Sequence, residues 1–135
     1  MEEMKLRVPV AVKAVVTELL KDRMITDLEE RLQTVDQDLM QIEFQAQRLM
    51  AEQAKLDPNG LAHIREQIEE QKQRANSFKA EVTAKLEEVK ELTLGAEIPQ
   101  GQLEQVITVK VGDNLDDIMG AEIILEDGVV KGFRG

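Results

Sequence analysis

The sequence predicts an α+β protein: a long antiparallel two-helix coiled-coil hairpin inserted into a small β-sheet or barrel-like base formed by both termini. Three observations carry this expectation. Residues 5–13 alternate apolar and polar with the period of a strand. Residues 17–94 place apolar side chains three and four apart on both sides of a single Asp-Pro-Asn-Gly break. Residues 103–133 return to strand alternation punctuated by turn signals. The expected division is therefore a discontinuous base, 1–16 with 95–135, and a helical hairpin, 17–94, turning at 57–60.

In "KLRVPVAVK", Leu6, Val8, Val10 and Val12 share one face of a strand, and Pro9 suits an edge position because it has no amide to donate. Thr17 stands where a helix cap is wanted, with Glu18 and Asp22 in the turn that follows. No Gly or Pro interrupts the next stretch to Leu56, and Ile25, Leu28, Leu32, Val35, Leu39, Ile42, Ala46 and Leu49 form a heptad seam. After the break the seam resumes at Leu61, Ile64, Ile68, Ala75, Phe78, Val82, Leu86, Val89 and Leu92, with polar Gln71 at one seam position and an end expected near Leu94 and Gly95.

The two seams mirror each other. Leu49 with Ile68, Ile42 with Ala75, Leu39 with Phe78, Val35 with Val82, Leu28 with Val89 and Ile25 with Leu92 are all centred between Pro58 and Asn59. Such symmetry is what a chain folded back on itself requires. Leu32 would face Lys85, so a local shift toward Leu86 is expected. In the turn, Pro58 presets φ, Asn59 and Gly60 suit left-handed geometry, and Asp57 can accept hydrogen bonds from the amides that follow.

Beyond a linker at "GAEIPQG", residues 95–101, "LEQVITVKVGD" alternates as a strand with Leu103, Ile107, Val109 and Val111 on one face. Asp113 or Asn114 can cap a single helical turn, and Asp127 with Gly128 can join two short strands in a tight hairpin.

Composition narrows the function. The chain has 135 residues, 33% of them charged, a formal net charge of −10, and only three aromatic residues, all Phe. With 17 Lys and Arg in all, direct nucleic-acid binding and attachment to an anionic membrane are not expected. The run "MEEMKLRVPVAVKAVV" starts acidic and is broken by Pro9 and Lys13, so it reads as neither a signal peptide nor a spanning helix. The chain has no cysteine, which suits a reducing compartment, and a cytoplasmic location is expected.

His63, the only histidine, has Glu66, Gln67 and Glu70 near it along a helix. Metal sites want three or four converging ligands, and a solvated first-turn histidine is the expected reading. Asp113, Asp116 and Asp117 could hold a cation, but they share one turn with no basic partner, and capping accounts for them. "DPNG" continues as Leu61, Ala62, His63, which breaks a calcium loop. Neither a phosphate loop nor a nucleophile elbow is present. No catalytic residue, cofactor site or metal site is therefore assigned.

Off the seam, Met40 and Phe44 stand four apart on the first helix, with Met50 and Ala51 extending the apolar surface. A second stripe on a two-helix hairpin marks packing against another chain, and these four residues are the candidate oligomer surface. Leu49, Leu56, Leu61 and Ile64 are candidate contacts near the hairpin turn.

The order of strand, long helix, "DPNG" bend, long helix and "ITVKVGDNLDDIMGAEIILEDGVVKGF" resembles the YlqD family, small bacterial and cyanobacterial proteins of unknown function. The likeness spans almost the whole chain, and "VGDN…EDGVVK" is its most specific part. It implies the architecture and carries no catalytic residues. A looser architectural likeness is to prefoldin subunits, whose helical hairpins hold unfolded protein. The expected function is a non-enzymatic structural or interaction protein that self-associates and binds a protein partner. The alternatives are a holdase acting through the tip residues and, as the lesser expectation, a metal-dependent enzyme using His63 or the Asp113 cluster.

Overall fold

A computed structural model describes residues 1–135. Along the chain run β1 (Glu3–Val15), α1 (Glu18–Leu56), a 3-10 turn (Pro58–Gly60), α2 (Leu61–Lys90), β2 (Glu97–Lys110), the single turn α3 (Leu115–Ile118), β3 (Glu122–Glu126) and β4 (Val129–Arg134). Two compact units result: Met1–Asp22 with Leu92–Gly135, and Arg23–Glu91. The α+β class is as expected.

In the first unit four strands form one open sheet in the order β2-β1-β3-β4. β1 pairs antiparallel with β2 along its length, from Glu3 opposite Lys110 to Val15 opposite Glu97, and parallel with β3 over Ala11–Ala14. Its alternation decides which face is buried: Val8, Val10, Val12 and Ala14 are buried, followed by Val16 just past the strand's end. β3 and β4 form the antiparallel hairpin that Asp127 and Gly128 suggest. Both turn residues have positive φ, 51° and 83°, the geometry that matches strand twist in a two-residue turn.

Two sequence expectations need comment here. β1 is an edge strand only in part: over Ala11–Ala14 it lies between β2 and β3, and Pro9 falls in the stretch that pairs with β2 alone, the edge position its missing amide suits. The stretch 95–101 is not a linker, since β2 begins at Glu97. Pro99 pairs with Lys13 and Gly101 with Val12, and Gln100 is extruded between them as a bulge, the device by which a strand accepts Pro and Gly. Of the sheet and barrel-like forms expected for the base, the open sheet is the one that forms.

Hydrogen bonds within this unit hold the first turn of α1. Thr17 Oγ1 accepts from Leu20 N–H at 3.1 Å, as a cap should, and donates to Asp127 Oδ1 in the β3–β4 turn at 2.5 Å. Lys21 Nζ donates to Leu92 O at 3.0 Å. On the face opposite the buried valines, Lys13 meets Glu122 at 2.9 Å. Arg134 of β4 grips Glu97 of β2 with both guanidinium arms, Nη1 donating to Oε1 at 2.6 Å and Nη2 to Oε2. A flat sheet would hold these outer strands about 14 Å apart, so the ion pair requires a strongly curled one.

In the second unit α1 and α2 are antiparallel. α2 ends at Lys90, four residues before the expected stop, and seam residue Leu92 lies outside it. Leu86 is buried and Lys85 exposed, the local shift that the seam predicted. At the bend, Asp57 Oδ1 accepts from Asn59 N–H at 3.0 Å. Gly60 is right-handed, φ −81°, and Asn59 is not left-handed either, so the expected left-handed geometry does not form. Space explains the glycine instead: a Cβ there would collide with the Gln53 amide, which donates to Asp57 O at 2.8 Å.

Two predictions follow from these geometries. Gly128→Ala, at positive φ, should destabilise by about 1 kcal/mol or more, and Gly60→Ala by clearly less, because the Gln53 side chain can swing away. Chemical denaturation of both variants decides it. The guanidinium of Arg134 holds the Glu97 carboxyl below its ordinary range. The stabilisation from a depressed carboxyl is complete above the unfolded-state value and is lost as pH falls through the folded one. The melting-temperature deficit of Glu97→Gln relative to the parent should therefore be present at neutral pH and shrink below about pH 4.

Candidate functional site

Burial along the hairpin is uneven. Leu28 and Val35 on α1 are buried with Val82, Leu86 and Val89 on α2, and Ala46 with Ile68 nearer the bend. Between these two sets Leu39, Ile42 and Ala75 are only half-buried and Phe78 is 47% exposed. The cause is compositional. Ala75 is too small to fill the space opposite Ile42, and polar Gln71 takes the next seam position, so the seam stays open in the middle.

The opening is a groove of about 930 Å³ with Val35, Ile42, Ala75 and Phe78 as its apolar lining, and Arg31, Asp38, Gln45 and Arg74 among its polar edges. Ion pairs hold the other flank. Glu43 meets Lys72 at 2.6 Å and Asp36 meets Lys79 at 2.7 Å, one heptad apart on each helix. The Glu43 hydrogen bond raises the Lys72 ammonium above its ordinary value. Charges clamp one side of the hairpin and leave the other open.

The four residues of the expected stripe do not share one environment. Met40 and Phe44 are 73% and 70% exposed and stand outside the groove, whereas Met50 is half-buried beside Ala46 and Ile68, and Ala51 is exposed. Phe78, assigned to the seam from sequence, is half open to solvent. The signal for this was present in the small and polar residues at 75 and 71. Near the bend Leu56 is 82% exposed and Leu49 about half exposed, while Leu61 and Ile64 are half-buried. Asp57, Pro58 and Asn59 are exposed at the turn and Gly60 is half-buried.

The residues weighed for chemistry are engaged locally. His63 Nε2 lies 3.2 Å from Gln67 Nε2 on the same helix. Asp113 Oδ2 accepts from Lys110 N–H at 2.8 Å, and Asn114, the cap of α3, accepts from Asp116 N–H at 2.9 Å. No group of three or more His, Cys, Asp or Glu side chains converges as a metal site would require. No helix is long and apolar enough to cross a membrane.

Known proteins match this arrangement from end to end. An uncharacterized protein YlqD from Bacillus subtilis (strain 168) is 26% identical over 126 residues, 93% of this chain and 94% of that protein. A crystal structure of a protein of unknown function from Synechococcus sp. WH 8102 superposes with a TM-score of 0.87 at 28% identity, covering 98% of this chain and 97% of that one. A family model described as YlqD protein matches residues 4–134, both β segments and both long helices included, and the chain belongs to the YlqD family.

Proposed function

We propose that this protein is a non-enzymatic structural and interaction protein of the cytoplasm that self-associates through the middle of its helical hairpin and presents the assembled surface to a protein partner. The supporting observation is the open seam, where Phe78 lines an apolar groove while Met40 and Phe44 stand exposed on α1. Each large apolar side chain moved from water into an interface contributes about 1.5–3 kcal/mol, so a second hairpin laid against this region has a sufficient driving force. The reading as a non-enzyme rests on the side-chain inventory: no cysteine, no tyrosine and one histidine. The cytoplasmic assignment rests on the lack of cysteine.

A second reading uses the bend. Leu56 is the most exposed large apolar residue of the hairpin, and a holdase would employ it with Leu49, Leu61 and Ile64. Suppression of aggregation of a model client, lost on Leu49→Ser with Leu56→Ser, is the expected behaviour on that reading. Full suppression by the double variant, or none by the parent, removes it.

Self-association is tested by solution mass from light scattering. The parent chain should exceed the mass of one chain, and Phe44→Glu should lower it. Phe78→Glu separates the two surfaces, since loss of mass there alone assigns the interface to the groove. A single-chain mass for the parent, or masses unchanged in both variants, overturns the proposal.

A further inference from the structure

β1 has neighbours on both sides over only part of its length. Ala11–Ala14 lie between β2 and β3, whereas Glu3–Val10 pair with β2 alone. In an antiparallel pair, residues that exchange hydrogen bonds with the neighbour alternate with residues whose N–H and C=O point the other way. Two bonds fix the phase here. Val111 N–H donates to Glu2 O across the β2 side, and Ala11 N–H donates to Ala121 O on the β3 side. Even-numbered residues of β1 therefore bond to β2, and the amides and carbonyls of Glu3, Lys5 and Arg7, with the Pro9 carbonyl, line a free edge.

Side chains give that edge a charge preference. Lys5 and Arg7 lie two apart on one face, exposed, and neither is engaged in an ion pair. On the other face Met4 is exposed and Leu6 half-buried at the margin of buried Val8. A strand added here meets unpaired backbone groups, two unneutralised cations on one side and an apolar margin on the other.

The outer edge of β2 is also open at Gln102, Glu104, Val106 and Thr108, but that stretch carries a carboxylate and no cation, and both its ends are closed. Asp113 already takes the N–H and C=O of Lys110, and Pro99 with the Gln100 bulge interrupts the opposite end. A second copy of β1 is a poor occupant as well, because two-fold registers that pair the whole edge set Lys5 against Lys5 or Arg7.

We infer that the free edge of β1 over Glu3–Pro9 is a strand-addition site for an extended segment of a partner protein in which acidic and apolar residues alternate. Its main chain completes the ladder at Lys5 and Arg7, its carboxylates sit beside those two cations, and its apolar residues extend the Met4, Leu6 and Val8 face.

The test is amide hydrogen exchange by NMR on the full chain, with a capped peptide of sequence Glu-Val-Glu-Thr-Glu-Val-Glu as probe. In the free protein the Lys5 and Arg7 amides should exchange quickly, while those of Leu6, Val8 and Val10, bonded to β2, are protected. Added peptide should protect Lys5 and Arg7, and the matching peptide with Lys in place of Glu should not. The double variant Lys5→Glu with Arg7→Glu should reverse the preference, and protection at Leu6 and Val8 shows that its sheet is intact. No protection by about 1 mM peptide, or protection indifferent to the sign of charge, overturns the inference. The hairpin variants Phe44→Glu and Phe78→Glu leave β1 untouched, so this site and the self-association reading fail independently.

Discussion

The ladder between β1 and β2 is the interaction on which the rest of the protein depends. All of β1, thirteen residues from Glu3 to Val15, finds antiparallel partners in a strand that begins more than eighty positions later, after both long helices. Closing so long an excursion costs little more entropy than closing a shorter one, because the penalty grows only with the logarithm of length. What makes it affordable is the apolar face it completes, Val8 through Val16. At the end of the ladder Val16 N–H donates to Ala96 O at 2.7 Å and Gly95 N–H to Val16 O at 2.8 Å. These bonds fix where the helices leave and where the chain returns.

The opposite face of the sheet is held by charge. Lys13, Glu97, Glu122 and Arg134 come from all four strands, and Ile124 is buried on the same face. Glu122 Oε2 is buried and meets Lys13 Nζ without a well-directed hydrogen bond. Partly exposed ion pairs each contribute little, and their larger effect here is geometric: Arg134 and Glu97 draw the two outer strands toward each other. A sheet with so few large apolar residues uses these pairs to set its curl.

The hairpin shows the reverse arrangement. It is packed around Leu28, Val35, Val82 and Val89 and again at Ala46 and Ile68, and it is open between these sets, since Ala75 and Gln71 leave Ile42 and Phe78 without full partners. Native interiors are close-packed, so an unfilled stretch with aromatic and aliphatic walls implies a surface not used up by its own fold. That openness is built from two residues and would close with larger apolar ones.

Local chemistry made much of this legible in advance. The Thr17 cap, the Asp57 bend, the Asn114 cap and the Asp127-Gly128 turn each depend on residues within a few positions of one another, and the mirrored seam fixed the antiparallel helices. The sequence by itself thus determined the elements, their order and the fold-back point. Tertiary structure alone decided that β1 takes a second neighbour over Ala11–Ala14, that "GAEIPQG" joins a strand, that α2 stops at Lys90 and that Gly60 is right-handed. Each of these turns on a partner distant in the chain or on a side chain such as Gln53 occupying space. It also decided which apolar residues stay exposed. Periodicity gives the direction of a side chain from its own helix, and only the packed neighbour determines whether that side chain is covered.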